Sequence, residues 1–145
     1  MKTILASFSI AFTLLFSGCL AHMDANNAAT NLNYQAKREG IPYRWHVVSL
    51  KGDNARLEKR LIGKVSQSKA SDAKQRAALS KIEELEKTNG RSVKPLLKEV
   101  RMLDKRQGKT VEAWVFNSSG TEITYTVEHA PGTDDQEFLV RGPWG

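Results

Sequence analysis

A chain of 145 residues with a net charge of +6 fits one domain and leaves no room for several. Its single cysteine, Cys19, excludes an intramolecular disulfide. No Gly-rich phosphate loop, no G-x-S-x-G around a serine, no H-x-x-x-H and no cysteine pair occurs, which excludes the common nucleotide, serine-hydrolase and structural-zinc signatures.

The chain opens with a short positive stretch, Met1-Lys2-Thr3, followed over residues 4–16 by an uncharged apolar run. That run is shorter than the roughly 20 apolar residues a membrane-spanning helix needs, and it fits the apolar region of an export signal. Leu15-Phe16-Ser17-Gly18-Cys19 follows, with small side chains just before the cysteine. This stretch resembles the lipobox of bacterial lipoproteins, and the resemblance covers the first 19 residues only. It implies that the Cys19 thiol carries a diacylglyceryl group, that residues 1–18 are removed, and that the new amine is acylated. Leu20, where an Asp would favour inner-membrane retention, implies delivery to an outer membrane. Cys19-Leu20-Ala21 also offers small residues for ordinary secretory cleavage after Ala21, the alternative in which no lipid is attached. Lipidation accounts for an odd cysteine in an exported chain.

Residues 20–36 read as a flexible tether rich in Asn26, Asn27, Asn31 and Asn33, with a short helix through 25–32 as the alternative. As a coil it would hold the domain about 20–25 Å from the lipid. Ile41, Tyr43, Trp45 and Val47 alternate, which predicts a first strand over 41–48 that ends at Gly52-Asp53-Asn54. Leu57, Leu61 and Val65 at i, i+4 and i+8 predict a helix starting from Asp53 or Asn54, with a break near 66–71. Asp72 starts a second helix, with Gln75 at the capping-box position, Ala78, Ile82 and Leu85 on one face, and Asn89-Gly90 as its stop. Val93, Leu96, Leu97, Val100 and Leu103 share a helical stripe, so a third helix is expected between Ser92 and Gly108, paired antiparallel with the second.

After Gly108 the period falls to two. Val111, Ala113 and Val115 alternate with Glu112, Trp114 and Phe116, and Asn117-Ser118-Ser119-Gly120 reads as a type I hairpin turn. Residues 122–129 return with Ile123, Tyr125 and Val127 on one face, which predicts one buried and one wet sheet face. A polar loop, a short strand over 136–141 and a tail at 142–145 complete the chain. The expected fold is a small α+β domain over 37–145, a helical hairpin on an antiparallel sheet of 3–4 strands, with a basic helical part at 53–108 and an acidic β-meander at 109–141.

Charge follows that division. Residues 37–109 hold 20 Lys and Arg against 9 Asp and Glu, a net of +11, whereas 110–145 hold 1 Arg against 6 acids, a net of −5. Such asymmetry draws anions to the basic part. His22, His46 and His129 show no metal spacing. His129 beside Glu128, with Asp134 and Asp135 downstream, is the one weak candidate for cation binding or acid–base work. Trp114, Phe116 and Trp45 are candidate partner-binding aromatics if the aliphatic hairpin face meets the helices; otherwise Trp114 and Phe116 form the buried face.

The expectation is a lipid-anchored, non-enzymatic adaptor of the cell envelope, attached to the outer membrane through Cys19 and docking another envelope protein. The alternative is a structural tether that binds an anionic lipid or cell-wall polymer through its basic helices. No cofactor, metal or nucleic acid is expected.

Overall fold

The computed structural model describes residues 22–49, 55–91, 94–106, 108–131 and 137–144. The export leader and Cys19 lie outside these residues, as do Asp134 and Asp135.

Where a flexible tether is expected, the chain forms helix α1, His22–Glu39. The stripe that buries it is made of alanines, Ala25, Ala29 and Ala36, whose small surface gives little hydrophobic signal. Low side-chain entropy makes these residues strong helix formers all the same. A reversal through Gly40, at φ 73°, leads into strand β1, Tyr43–Ser49. Helix and strand are then locked by Asn33, whose Nδ2 donates to Trp45 O (2.9 Å) while its Oδ1 accepts from Trp45 N (2.8 Å). One side-chain amide thus occupies the backbone position that another strand would take on β1.

The helix expected from Asp53 or Asn54 is instead strand β2, Ala55–Leu61, followed by the short strand β3, Lys64–Ser66. β2 pairs antiparallel with β1, placing Leu57 opposite Val47 and Leu61 opposite Tyr43. A spacing of four residues satisfies the helical period and the strand period alike, so Leu57 and Leu61 could not discriminate between them.

Helix α2, Asp72–Thr88, forms where expected. Ser71 caps it, accepting from Lys74 N (3.3 Å), and Gln75 Nε2 returns to Ala70 O (2.8 Å). Asn89 N donates to Leu85 O (2.9 Å), and Gly90 at φ 77° ends the helix.

The expected third helix is strand β4, Leu96–Arg106, so no helical pair exists. The register shifts twice along β4, between Leu97 and Glu99 and between Met102 and Asp104. Each bulge inserts one residue and resets the alternation. Leu97 therefore lies opposite Phe116 and Val100 opposite Trp114 on a common face, although they are three residues apart. A bulged strand reproduces helical spacing.

Strands β5, Lys109–Ser118, and β6, Thr121–His129, form the expected hairpin. Its turn has two residues, Ser119 (φ 52°) and Gly120 (φ 83°), both at positive φ as in a type I′ turn rather than the type I turn read from sequence. Strand β7, Phe138–Trp144, takes in most of the expected tail. The fold is α+β, with one two-stranded sheet, β1-β2, and one five-stranded antiparallel sheet in the order β3-β4-β5-β6-β7. The larger sheet exceeds the 3–4 strands expected because β3 and β4 come from segments read as helical.

The core lies between α2 and one face of the larger sheet, where Ala78 and Ile82 pack with Val100, Trp114, Phe116, Ile123, Tyr125 and Val127. The opposite face is not wet. Ala113, Val115, Thr124 and Thr126 are also buried, and Tyr43 Oη lies 2.9 Å from Thr124 Oγ1. The alternation in the hairpin separates two buried faces, one apolar and aromatic and one of small aliphatic and threonine side chains.

Gly63 tests the junction between the two sheets. At φ 92°, a methyl group there would stand 2.6 Å from Met102 O and 2.9 Å from Leu103 Cδ2. Gly63→Ala should cost about 3 kcal/mol in urea unfolding. Gly90→Ala, also at positive φ but in open space, should cost about 1 kcal/mol.

Candidate functional site

The structure removes two of the three aromatic candidates from the surface. Trp114 is 1% exposed and Phe116 fully buried, their rings 6.5 Å apart in the core under α2. They form the buried face, because the aromatic side of the hairpin is the side that meets the helix. Neither can touch a partner. Trp45 is half-buried, and its backbone is held by Asn33.

His129 and Glu128 are also separated, since adjacent residues in a strand point to opposite faces. Glu128 Oε1 lies 3.4 Å from Lys109 Nζ, half-exposed. His129 points inward, with its Nε2 3.4 Å from Glu112 Oε1, an ion pair only when the imidazole carries its second proton. Glu112 is fully buried and accepts from Ser68 Oγ (2.7 Å), Lys69 N (2.6 Å) and Trp114 Nε1 (2.8 Å). These bonds satisfy a carboxyl group that would otherwise be costly to bury. They also pin the connector between β3 and α2 to the sheet.

A second buried carboxyl group, Glu86 on α2, accepts from Tyr125 Oη (2.5 Å) and from Arg91 Nε (2.6 Å). Burial, reinforced by this bond to Glu86, pushes the Tyr125 hydroxyl well above its ordinary titration range. Lys74, also buried, donates from Nζ to Ala130 O (2.6 Å). Glu112 ties the connector before α2 to the sheet, Lys74 ties its first turn to the end of β6, and Glu86 ties its last turns to Tyr125.

Two concave regions remain. A cleft of about 160 Å³ lies between the Gly40 reversal and the larger sheet, lined by Ile41, Arg44, Ile62, Val111, Leu139 and Arg141 among others. A wider groove of about 450 Å³ runs between α2 and the start of β4. Arg76, Leu79, Ser80 and Glu83, all on one face of α2, form one wall, and Lys94-Pro95-Leu96-Leu97 forms the other. Neither is lined by Glu112 or His129.

The groove is the more informative of the two. Leu96 is 71% exposed and Leu97 43%, large apolar side chains left uncovered beside Leu79 and Pro95. Lys94 pairs with Glu83 across it (3.1 Å), so charge marks its rim. β3 covers β4 only from Val100 to Met102, leaving the outer edge at 96–99 without a strand partner among the described residues. The bulge after Leu97 and the Lys98 side chain, held by Glu122 (2.7 Å), guard that edge against strand addition. A partner would therefore engage side chains in the groove rather than extend the sheet. The sequence contains a trace of this site: Pro95-Leu96-Leu97 is a longer apolar run than alternation requires. Read as helix, that excess was assigned to a core face.

Among the described residues no group of three or more His, Cys, Asp or Glu is placed to hold a metal ion. Trp114→Ala should destabilise the fold by about 3–5 kcal/mol, as removal of a core aromatic does. Tyr125 makes a second prediction. Its proton is held more tightly in the folded chain than in the unfolded one, so its contribution is complete below about pH 10 and is lost as pH rises further. In urea titrations the stability gap between the wild type and Tyr125→Phe should narrow above that pH and stay constant from pH 6 to 9. The chain matches no family model, no curated protein and no solved structure.

Proposed function

We propose that this protein is a lipid-anchored component of a bacterial cell envelope that serves as a non-enzymatic binding subunit, seating an apolar segment of a partner protein in the groove between α2 and β4. The N-terminal sequence supports the address, with an apolar run of export-signal length ending in a lipobox-like stretch at Cys19. No helix among the described residues is long and apolar enough to cross a membrane. In this reading acyl chains on Cys19 supply the attachment, and two chains hold far more firmly than one.

The observation that carries the binding role is the exposure of Leu96 and Leu97 in a groove where they adjoin Leu79 and Pro95, with charged side chains at its rim. Contiguous apolar surface of this kind marks interaction sites more often than scattered exposed leucines do. The buried ionisable groups support the same conclusion from the other side. Glu112, His129 and Lys74 are 3% exposed or less, and the bonds of Glu112 and Lys74 hold elements together. A general acid or base must reach its substrate within hydrogen-bond distance.

Two measurements test the reading. Mass spectrometry of protein purified from membranes should find the mature chain beginning at a diacylglyceryl-modified Cys19, and Cys19→Ala should leave an uncleaved precursor. A mature chain beginning at His22 would refute the anchor. A photo-crosslinking residue at Leu97 should give a discrete adduct with one envelope protein in intact cells. One placed at Thr88, outside the groove, should not. Equal labelling from both positions would refute the groove as a docking site.

A further inference from the structure

Among the described residues the positive charge falls on two stretches. From 67 to 109, 12 Lys and Arg meet 6 Asp and Glu. Many of these cations are neutralised locally: Lys81, Arg91, Lys94, Lys98, Arg101 and Lys109 each stand beside a carboxylate. From 22 to 66, 7 Lys and Arg meet only 3 acids, Asp24, Glu39 and Glu58. α1 is neutral, Lys37 and Arg38 against Asp24 and Glu39, so the excess in this second stretch belongs to the β1-β2 hairpin and Lys64.

Register gathers part of it on one hairpin face. Directly opposed residues share a face, so Arg44 with Arg60, His46 with Glu58, and Val48 with Arg56 line one side. The other side carries Tyr43, Trp45, Val47, Leu57 and Leu61, with Lys59 Nζ folded over the Tyr43 ring (4.8 Å). On the first side His46, Arg56 and Arg60 are exposed, and a lone acid, Glu58, holds Arg60 (2.7 Å). The surrounding guanidinium groups, Arg60 first, keep that carboxyl below its usual range. Arg44, opposite Arg60, donates from Nη1 to Tyr43 O (2.7 Å) and Ile41 O (3.3 Å) and keeps its charge on this face.

The helix determines what that face can meet. Only Leu20 and Ala21 separate Cys19 from the first residue of α1. Eighteen helical residues span about 27 Å, and β1 returns antiparallel along them, as the Asn33–Trp45 clamp requires. The end of β1 and, paired across from Val48, Arg56 therefore lie toward the start of α1.

We infer that the Arg44–His46–Arg56–Arg60 face of the hairpin lies on the anionic lipid surface of the leaflet that holds the acyl chains, laying α1 along the bilayer. This inference rests on the proposed acylation of Cys19. Each net positive charge close to an anionic surface strengthens association roughly five-fold, and Arg44, Arg56 and Arg60, with Glu58 offsetting one of them, together contribute about 25-fold. The exposed charges of α1, Lys37 and Arg38 against Asp24 and Glu39, cancel.

The test uses the intact acylated protein reconstituted into vesicles of phosphatidylcholine alone or with 30% phosphatidylglycerol, and measures phenylglyoxal modification of individual arginines. On the anionic vesicles Arg56 and Arg60 should react at least five-fold more slowly than on the neutral ones, with 0.5 M NaCl restoring the rate. Arg76, in the groove beside α2, should react equally on both. Unchanged rates at Arg56 and Arg60, or equal slowing at all three, overturn the inference, as does protection by purified cell wall but not by vesicles. If mass spectrometry shows Cys19 unmodified, the anchor has failed and the face is tested alone. The unacylated chain should then co-sediment with the anionic vesicles in a salt-sensitive way that Arg56→Gln/Arg60→Gln abolishes, and no co-sedimentation overturns the face as well.

Discussion

Glu112 ties the connector that leads into α2 to the larger sheet and to the core indole. Its carboxyl group sits in the middle of the larger sheet and takes hydrogen bonds from Ser68 and the Lys69 backbone in the connector, and from the Trp114 indole in the core. Without those acceptors, the connector between β3 and α2 would leave a buried donor unmet, and the Trp114 N–H would lose its partner. With them, the chain turns off the sheet edge at Ser66 and reaches Ser71 positioned to cap α2. Helix, core aromatics and connector are thus one cooperative unit. Glu86 and Lys74 repeat the device at other points on α2, each reaching across to the sheet. An ionisable group buried for this purpose is withheld from solvent, and His129, the weak reactive candidate in the sequence, lies buried with it, its Nε2 3.4 Å from Glu112 Oε1.

The chain was legible where one period excluded the other. In α2, Ala78, Ile82 and Leu85 fit only a helix, and the cap residues agree. In the hairpin of β5 and β6, strict alternation and an Asn-Ser-Ser-Gly turn left one reading. β2 and β4 were opaque for a shared reason. Leu57 and Leu61 are four residues apart, a multiple of two, and β4 carries two bulges that bring residues three apart onto one face. Pairing partners decide such segments, and partners are remote in sequence: Ser66 with Val100, Arg101 with Ala113. The candidate groove became invisible with β4, since its wall exists only where a strand begins beside a helix.

α1 shows the opposite failure. Its stripe of alanines buries well and yet registers weakly on any scale of hydrophobicity, so asparagines dominated the reading. An asparagine proves to be its most specific residue, because Asn33 satisfies both backbone groups of Trp45. This changes the mechanics of the N-terminal segment. A coil would have let the strands turn freely relative to residue 22. A helix clamped to a strand transmits orientation, so whatever holds residue 22 also aims β1, β2 and the sheet beyond them.

Edges impose the last constraint on what the molecule can bind. The two-stranded sheet has one edge occupied by the Asn33 amide. The larger sheet begins with β3, three residues long, and exposes β4 beside it only where a bulge and a paired lysine interrupt the ladder. Strand addition is thereby discouraged at the sites where backbone is available. Recognition then falls to side chains, and exposed side chains concentrate in two places of different chemistry, leucines beside α2 and arginines on the hairpin. An apolar groove and a cationic face cannot serve the same ligand well, and the fold keeps them apart: the arginines lie on the β1-β2 hairpin beside α1, and the groove belongs to the unit that Glu112 holds together.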